Sequence, residues 1–284
     1  MGGMAEQGKK YSNALFVSDL DGTLLNHHSK VSAQSVALLN AAIAKGAKFT
    51  IATSRTPATT TALLAEVNAT LPYIVLAGAA IWDPRSEQYC DTQPISESDT
   101  QKLARIAQDN GLSPFVYRIA GSRIIACHSP ELNETERGFV EERNGKPHKE
   151  FRFGHNVSEG EGEAVLMMCM DDYGPLCAAH RDIQAQMPHH VAMCYRDLFD
   201  PGKGLLEVYA PGVTKAAALK RLAGRLGVEE TVAFGDNVND IPMLKAATRA
   251  IAVANAVEEV KLAAHEVTGD NRSDSVARWI SENI

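Results

Sequence analysis

Cysteines are few and long apolar runs are missing from the sequence, and each shortage excludes a class of protein. The 284 residues include five cysteines, an odd number with no C-x-x-C spacing, which predicts buried, reduced thiols and argues against a zinc site or a disulfide framework. Apolar stretches such as 164–170 are far shorter than the roughly 20 residues of a membrane-spanning helix. We therefore expect a cytoplasmic protein with no membrane partner.

Clusters of basic residues are missing as well. The chain has 28 lysines and arginines against 35 aspartates and glutamates, which gives a formal net charge of −7. Such a surface repels polyanions, so we expect no nucleic-acid partner. Hydrophobic residues, in contrast, make up 45% of the chain and charged residues 22%, which is ordinary for a globular protein. The length predicts two domains, or one domain with a large insertion.

Short apolar strands alternate with helices in the first and last parts of the sequence. The predicted elements of the first part are strands at 14–18, 48–52 and 73–76 and helices at 32–45 and 56–67. Such alternation predicts β-α-β units, and hence an α/β fold with a parallel sheet covered by helices on both faces. In such sheets, ligands bind at the carboxyl ends of the strands.

The order of elements is different in the middle of the sequence. Helices and strands there no longer alternate regularly, which predicts an inserted α+β domain. We therefore expect a core domain of residues 1–93 and 193–284, in which a strand at 205–210 belongs to the parallel sheet, and a cap domain at 94–192. The stretch 144–162, rich in glycine, histidine and charge, is expected to be a flexible loop.

Two aspartates follow the first predicted strand, in the segment Asp19-Leu20-Asp21-Gly22-Thr23. Side chains two residues apart on a strand point to the same side. Neighbouring carboxylates repel each other unless a hard cation such as Mg²⁺ neutralises them. With a phosphate opposite, one carboxylate can attack phosphorus to form an acyl phosphate, while the other acts as an acid and then as a base. An ordinary Asp-Gly turn is the alternative.

This segment resembles the first motif, D-x-D-G-T, of the haloacid dehalogenase superfamily, and three later segments resemble its other motifs in the same order. They are Thr53-Ser54-Arg55, Gly212-Val213-Thr214-Lys215 and Gly235-Asp236-Asn237-Val238-Asn239-Asp240. Taken singly, each has an alternative: a helix-entry loop for Thr53, a solvated surface lysine for Lys215, and a helix cap for Asp240. A lysine at a helix start opposes the helix dipole, however, which hints at function.

The resemblance implies a role for each motif residue. Asp19 is the expected nucleophile and Asp21 the acid and base, and Thr53 and Lys215 complete the catalytic set. The expected Mg²⁺ ligands are Asp19, the backbone carbonyl of Asp21, and Asp236. The expected phosphate or substrate contacts are Leu20, Gly22, Thr53, Ser54, Arg55, Lys215 and Asn239, with Asn237 and Asp240 in supporting positions. Asp240 is expected to orient Lys215 or a metal-bound water, and Arg55 either contacts the leaving group or forms a salt bridge on the helix face.

The insertion and the segment 234–244 are similar to those of Cof-type phosphatases of subfamily IIB, and the likeness covers nearly the whole chain. It implies a Rossmann-like core with an inserted α+β cap of the C2B type. It also implies a Mg²⁺-dependent phosphatase whose substrate is a small phosphorylated metabolite, either a sugar phosphate or a phosphorylated cofactor. Two alternatives use the same residues: a phosphotransferase or phosphomutase that passes the phosphoryl group to a second sugar hydroxyl, and a non-catalytic phosphate-binding switch.

Overall fold

The chain divides into two compact units. The structure is a computed structural model, which describes residues 11–197 and 200–284. The parallel-sheet unit contains residues 11–55 together with Thr60–Ser86 and Thr214–Ile284. The mixed-sheet unit contains Thr56–Thr59 and Glu87–Val213. In the described part of the chain, no helix is both long and apolar enough to cross a membrane.

Parallel strands form the main sheet of the parallel-sheet unit, as the sequence predicts. They are β1 (Leu15–Ser18), β2 (Lys48–Ile51), β12 (Thr231–Gly235), β13 (Arg249–Ala252) and β14 (Glu266–Val267), in the order β14-β13-β12-β1-β2. Every residue of β1 and β12 is buried. This explains why neither strand alternates apolar with polar residues. Two short strands, β3 (Tyr73–Val75) and β4 (Ala80–Asp83), pair antiparallel in the same unit, and β4 is not among the predicted elements.

Helices connect these strands. They are α1 (Ala33–Ala44), α2 (Pro57–Leu63), α6 (Lys215–Leu226), α7 (Ile241–Ala246), α8 (Glu258–Ala263) and α9 (Ser275–Asn283). Ser32 caps α1, because its side chain accepts a hydrogen bond from the backbone N–H of Ser35. Thr214 caps α6 in the same way, and Gly227 ends that helix in the left-handed conformation. The start of α6 is therefore encoded locally, which fixes the position of its first residue, Lys215.

The mixed-sheet unit contains a six-stranded sheet. Its strands are β6 (Phe115–Ala120), β7 (Arg123–His128), β8 (Lys149–Phe153), β9 (Glu163–Asp172), β10 (Val191–Arg196) and β11 (Lys203–Tyr209), in the order β10-β11-β9-β6-β7-β8. Its other elements are β5 (Gln88–Thr92), α3 (Glu97–Asp109), α4 (Glu134–Arg143) and α5 (Tyr173–Gln186). All neighbouring strands of the six are antiparallel except β7 and β8.

Two predictions about this region are wrong. The strand expected at 205–210 does not join the parallel sheet: it is β11, paired antiparallel with β9 and β10, and the chain enters the parallel-sheet unit only at Thr214. A strand that follows its neighbour closely is paired most directly by an antiparallel hairpin. The loop expected at 144–162 contains β8, because Phe151 packs against Phe115 and Phe139.

Candidate active site

The carboxyl ends of three neighbouring strands bring the first, second and fourth motifs together. β1 lies between β2 and β12, with Ser18 beside both Ile51 and Phe234. The backbone N–H of Asp19 donates to the carbonyl of Phe234 at 3.0 Å, so the pairing with β12 continues one residue beyond β1. Thr53 and Asp236 follow the other two strands. The parallel sheet thus makes neighbours of motifs that are far apart in the chain.

Lys215 joins two aspartates in a buried ion cluster. Its Nζ donates to Asp19 Oδ1 at 2.5 Å and to Asp240 Oδ1 at 2.7 Å. The three side chains are only 4%, 8% and 1% exposed. Burial by itself lowers the pKa of Lys215, but Asp19 and Asp240 outweigh it, so that the pKa of this lysine lies above its ordinary value. The side chain is therefore an ammonium ion at neutral pH, despite its place at the start of α6.

The cluster has more negative than positive charge. Burial raises the pKa of Asp19 to about 8, against the lowering effect of Lys215 and with further raising by Asp240 and Asp236. Burial and Asp240 also raise the pKa of Asp236, although a hydrogen bond from Thr23 opposes this. One carboxylate oxygen from each of the three aspartates lies within 4.8 Å of the others. Carboxylate oxygens this close are a donor set that suits a hard divalent cation.

Both carboxylate oxygens of Asp240 are used within the protein. Oδ1 accepts from Lys215, and Oδ2 accepts from the backbone N–H groups of Asp236 at 3.1 Å and Asn237 at 3.3 Å. Gly235 comes directly before Asp236, and a Cβ at Gly235 would overlap the Asp240 side chain. Asp240 therefore orients Lys215 and shapes the loop that carries Asp236. Asp240 ends a short 3-10 turn, Val238–Asp240, and its bond from the Asn237 N–H is a capping contact of that turn, so the cap suggested by the sequence and the contact with Lys215 coexist.

The first motif leaves β1 in a tight turn that depends on glycine. Gly22 has φ of 80°, in the left-handed region, and a Cβ at this position would overlap the carboxylate of Asp236. Thr23 Oγ1 donates to Asp236 Oδ1 at 2.8 Å, and Asn255 Nδ2 donates to the Gly22 carbonyl at 2.7 Å. Sequence reasoning missed both supporting contacts. Thr23 belongs to the recognised motif, and the segment Asn255-Ala256 also fits the family likeness, but neither indicates which contact its side chain makes.

Asp21 is bound by Arg55. The Nε of Arg55 donates to Asp21 Oδ2 at 2.7 Å and its Nη2 donates to Oδ1 at 2.6 Å, a two-pronged pair whose side chains are 30% and 51% exposed. Two interpretations of Arg55 were open, and the structure shows the salt bridge. Its partner is Asp21 of the first motif. The two carboxylates of that motif have different partners, since Asp19 pairs with Lys215. The Asp21 carboxylate is not in the cluster of three, and metal contact through its backbone carbonyl stays a prediction.

The other expected phosphate contacts differ in accessibility. Thr53 is buried, and its Oγ1 accepts from the backbone N–H of Arg55 at 3.2 Å. Leu20 is also buried, while Ser54, Asn237 and Asn239 are exposed. The side chains of Ser54 and Asn239 are therefore open to an incoming phosphate, and Asn237 is the exposed supporting residue near them in sequence. Because the Leu20 side chain is buried, Leu20 can contact a phosphate only through its backbone unless that side chain moves.

A glycine outside the four motifs supports the start of α6. Gly78 has φ of 100°, and a Cβ there would overlap the backbone carbonyl of Thr214, the residue before Lys215. Its own carbonyl accepts from Arg221 Nη2, on the same helix, at 2.9 Å. This close approach of two backbones needs glycine. It ties the helix that carries Lys215 to the segment after β3.

Comparisons with known proteins show the family and the fold of the chain. The sequence profile of the haloacid dehalogenase-like hydrolases matches residues 16–280. A 5-amino-6-(5-phospho-D-ribitylamino)uracil phosphatase of Bacillus subtilis is 25% identical over 98% of each chain. A pyridoxal phosphate phosphatase of Escherichia coli is 24% identical over 94% of this chain and 97% of its own. Among solved structures, a sugar phosphatase of subclass IIB superposes with a TM-score of 0.73 at 22% identity, covering 95% of this chain and 98% of the other.

Proposed function

The chain belongs to the haloacid dehalogenase-like hydrolases and is a phosphatase of small phosphorylated metabolites, and we propose that it acts with Mg²⁺ through an aspartyl-phosphate intermediate on Asp19. The observation that carries this proposal is the buried contact between Lys215 and Asp19 at a junction of parallel strands. A buried carboxylate held by an ammonium ion, beside two more carboxylates, is costly for stability alone. Such an arrangement is typical of sites built for chemistry.

The residues present fit a magnesium ion. Asp19 and Asp236 are the side chains we assign to it, because Asp240 already uses both of its oxygens. The family resemblance adds the Asp21 backbone carbonyl. A bound Mg²⁺ supplies positive charge that offsets the aspartates and the phosphate dianion. Lys215 provides the protein's own positive charge next to Asp19, where it lowers the pKa of that carboxyl against the effect of burial and attracts the phosphate.

The reaction then proceeds in two displacements at phosphorus. In the first, an Asp19 oxygen forms a bond to phosphorus while the ester P–O bond breaks, and Asp21 gives its proton to the leaving oxygen. In the second, Asp21 takes a proton from water, the water oxygen bonds to phosphorus, and the bond between phosphorus and Asp19 breaks to release inorganic phosphate. Asp21 suits this role because its side chain is half exposed, so it can reach both an incoming substrate and water.

The proposal is tested with a panel of phosphorylated metabolites and the full-length protein. We expect Mg²⁺-dependent release of inorganic phosphate without an acceptor sugar, and loss of that release in EDTA. Mg²⁺ at a hundred times its Kd stabilises a protein by about 2.7 kcal/mol, so the thermal midpoint of the wild type should rise. Asp236→Asn should remove most of that rise, whereas the exposed Asp109→Asn should keep it. Full activity in EDTA would refute the metal assignment, and a strict need for an acceptor would indicate a phosphotransferase.

Arg55 gives a separate test of Asp21 as the acid. Replacing Arg55 by alanine removes both hydrogen bonds that orient Asp21. We expect kcat for an alkyl phosphate to fall on the order of 10-fold, because a displaced acid protonates the leaving oxygen poorly. The kcat for p-nitrophenyl phosphate, whose leaving group needs no proton, should fall much less.

Arg278 offers a matched control, since it also pairs with an aspartate, Asp274, at 3.9 Å. Arg278→Ala should leave both rates unchanged. Arg55→Lys keeps the charge but not the two-pronged geometry, so it should behave nearly like Arg55→Ala. An equal loss with both substrates would instead assign Arg55 to phosphate binding.

A further inference from the structure

Three of the five cysteines do not fit the expectation of buried thiols. Cys90 is exposed, and Cys177 and Cys194 are partly exposed, while Cys127 and Cys169 are buried. Cys177 lies on α5 and Cys194 on the edge strand β10, both in the mixed-sheet unit. We propose that Cys177 and Cys194 form a reversible disulfide that ties α5 to β10 under oxidising conditions.

The register between α5 and β10 places the two cysteines opposite each other. At one end, the guanidinium of Arg196 lies 3.8 Å from the ring centre of Tyr173. At the other, His180 Nε2 lies 3.2 Å from the carbonyl of Ala192. Cys177 is one turn beyond Tyr173 on the helix, and Cys194 is two residues from both Arg196 and Ala192 on the strand. Since residues two apart on a strand share a face, Cys194 lies on the same face of β10 as Arg196.

The two thiols also interact directly. The Cys194 thiol and the Tyr173 hydroxyl both hydrogen-bond the Cys177 sulfur. Burial, followed by its interaction with Cys177, raises the pKa of Cys194 to about 11, and the contact with Cys177 raises the pKa of Tyr173. Both groups therefore keep their protons and act as donors to one sulfur. Because both neighbours donate to it, the Cys177 sulfur is the acceptor of the pair, and we assign the first attack to it.

A hydroperoxide is the oxidant that this arrangement suits. The Cys177 thiolate attacks one peroxide oxygen, the O–O bond breaks, and hydroxide leaves, which gives a sulfenic acid. The Cys194 sulfur then attacks the Cys177 sulfur, the S–O bond breaks, and the oxygen leaves as water with the thiol proton. Two thiols are oxidised to one disulfide while hydrogen peroxide is reduced to two waters. A thiol reductant reverses the change.

The disulfide would connect α5 with β10, a strand that is partly exposed to solvent. Every residue of β10 from Val191 to Tyr195 is partly exposed, and within the described residues β10 has a neighbouring strand on one side only. Edge strands open more readily than central ones. A covalent link to the second turn of α5 therefore restricts the opening of β10 and stiffens this edge of the mixed sheet.

The test uses the reduced, full-length protein treated with hydrogen peroxide and then with an alkylating agent. Peptide mapping without reductant should find Cys177 linked to Cys194, and the intact mass should be lower by two hydrogen atoms. Dithiothreitol should restore both thiols. Amide hydrogen exchange over 191–196 should slow several-fold in the oxidised protein.

The cysteine variants provide the controls. Cys177→Ser and Cys194→Ser should each abolish the linked peptide, and Cys90→Ser, at the exposed cysteine, should keep it. The wild-type peptide map decides the matter even if a variant folds poorly. Both thiols still free after peroxide treatment, a link that involves a different cysteine, or over-oxidation of Cys177 without a link would each overturn the proposal.

Discussion

Asp19→Asn should release phosphate on the order of 10⁴-fold more slowly than the wild type, or not measurably. The amide has nearly the shape of the carboxylate, so packing around residue 19 is kept. It is a poor nucleophile, however, and it cannot form a labile acyl phosphate. The change also removes the ionic contact with Lys215, which holds the Asp19 carboxylate at 2.5 Å.

The intermediate itself can be trapped. Hydroxylamine converts an acyl phosphate into a hydroxamate, so wild-type protein quenched with hydroxylamine during turnover should carry this modification on Asp19. Peptide mass spectrometry locates it. Asp109→Asn, at an exposed position on α3, serves as the matched control and should retain wild-type turnover. Turnover that survives in Asp19→Asn, or a hydroxamate on another residue, would contradict the nucleophile assignment.

Lys215→Met should damage both catalysis and stability. It leaves the buried carboxylates of Asp19 and Asp240 without their ammonium partner. Removing one partner of a buried ion pair lowers the free energy of unfolding by about 3–5 kcal/mol, and this loss should appear in urea unfolding measured in EDTA. The pKa of Lys215 is raised in the folded state, so its contribution is complete below the ordinary lysine pKa and is lost only as the pH rises through the higher folded value. The wild type should therefore keep this contribution at neutral pH.

A second variant separates the two effects. Lys215→Met combined with Asp240→Asn removes one of the unpaired charges, so it should recover part of the stability without recovering activity. Lys220→Met, at an exposed position of the same helix, should change neither. If Lys215→Met unfolds at the same urea concentration as the wild type, the buried pair contributes little to stability.

The parallel-sheet unit and the location of its site follow from local sequence signals. Strand and helix alternate with regular lengths around Asp19, Thr53 and Asp236, and parallel sheets bring such strand ends together whatever the length of chain between them. The start of α6 is equally local, because Thr214 caps it. These features need no information from distant parts of the chain.

Contacts between distant segments are less predictable. The pairing of Arg55 with Asp21, and of Asn255 with Gly22, depends on how separate loops meet above the sheet. The strand β11 is apolar enough for either sheet, and its antiparallel pairing with β9 and β10 assigns it to the mixed sheet. Cys177 and Cys194 have no motif spacing, since a helix and a strand bring them together. Each of these cases needs tertiary structure, because short segments leave the competing arrangements nearly equal in energy.

The places where the chain passes between its two units lie beside the proposed chemistry. Arg55 is the last residue before the chain first enters the mixed-sheet unit. Lys215 is the second residue after the chain finally returns to the parallel-sheet unit. Every residue to which we assign a role in phosphoryl transfer lies outside the long excursion from Glu87 to Val213. That excursion can therefore lengthen, shorten or be exchanged during evolution without altering phosphoryl transfer, provided that Gly78 still holds the start of α6. Proteins with very different inserted domains can in this way share one reaction.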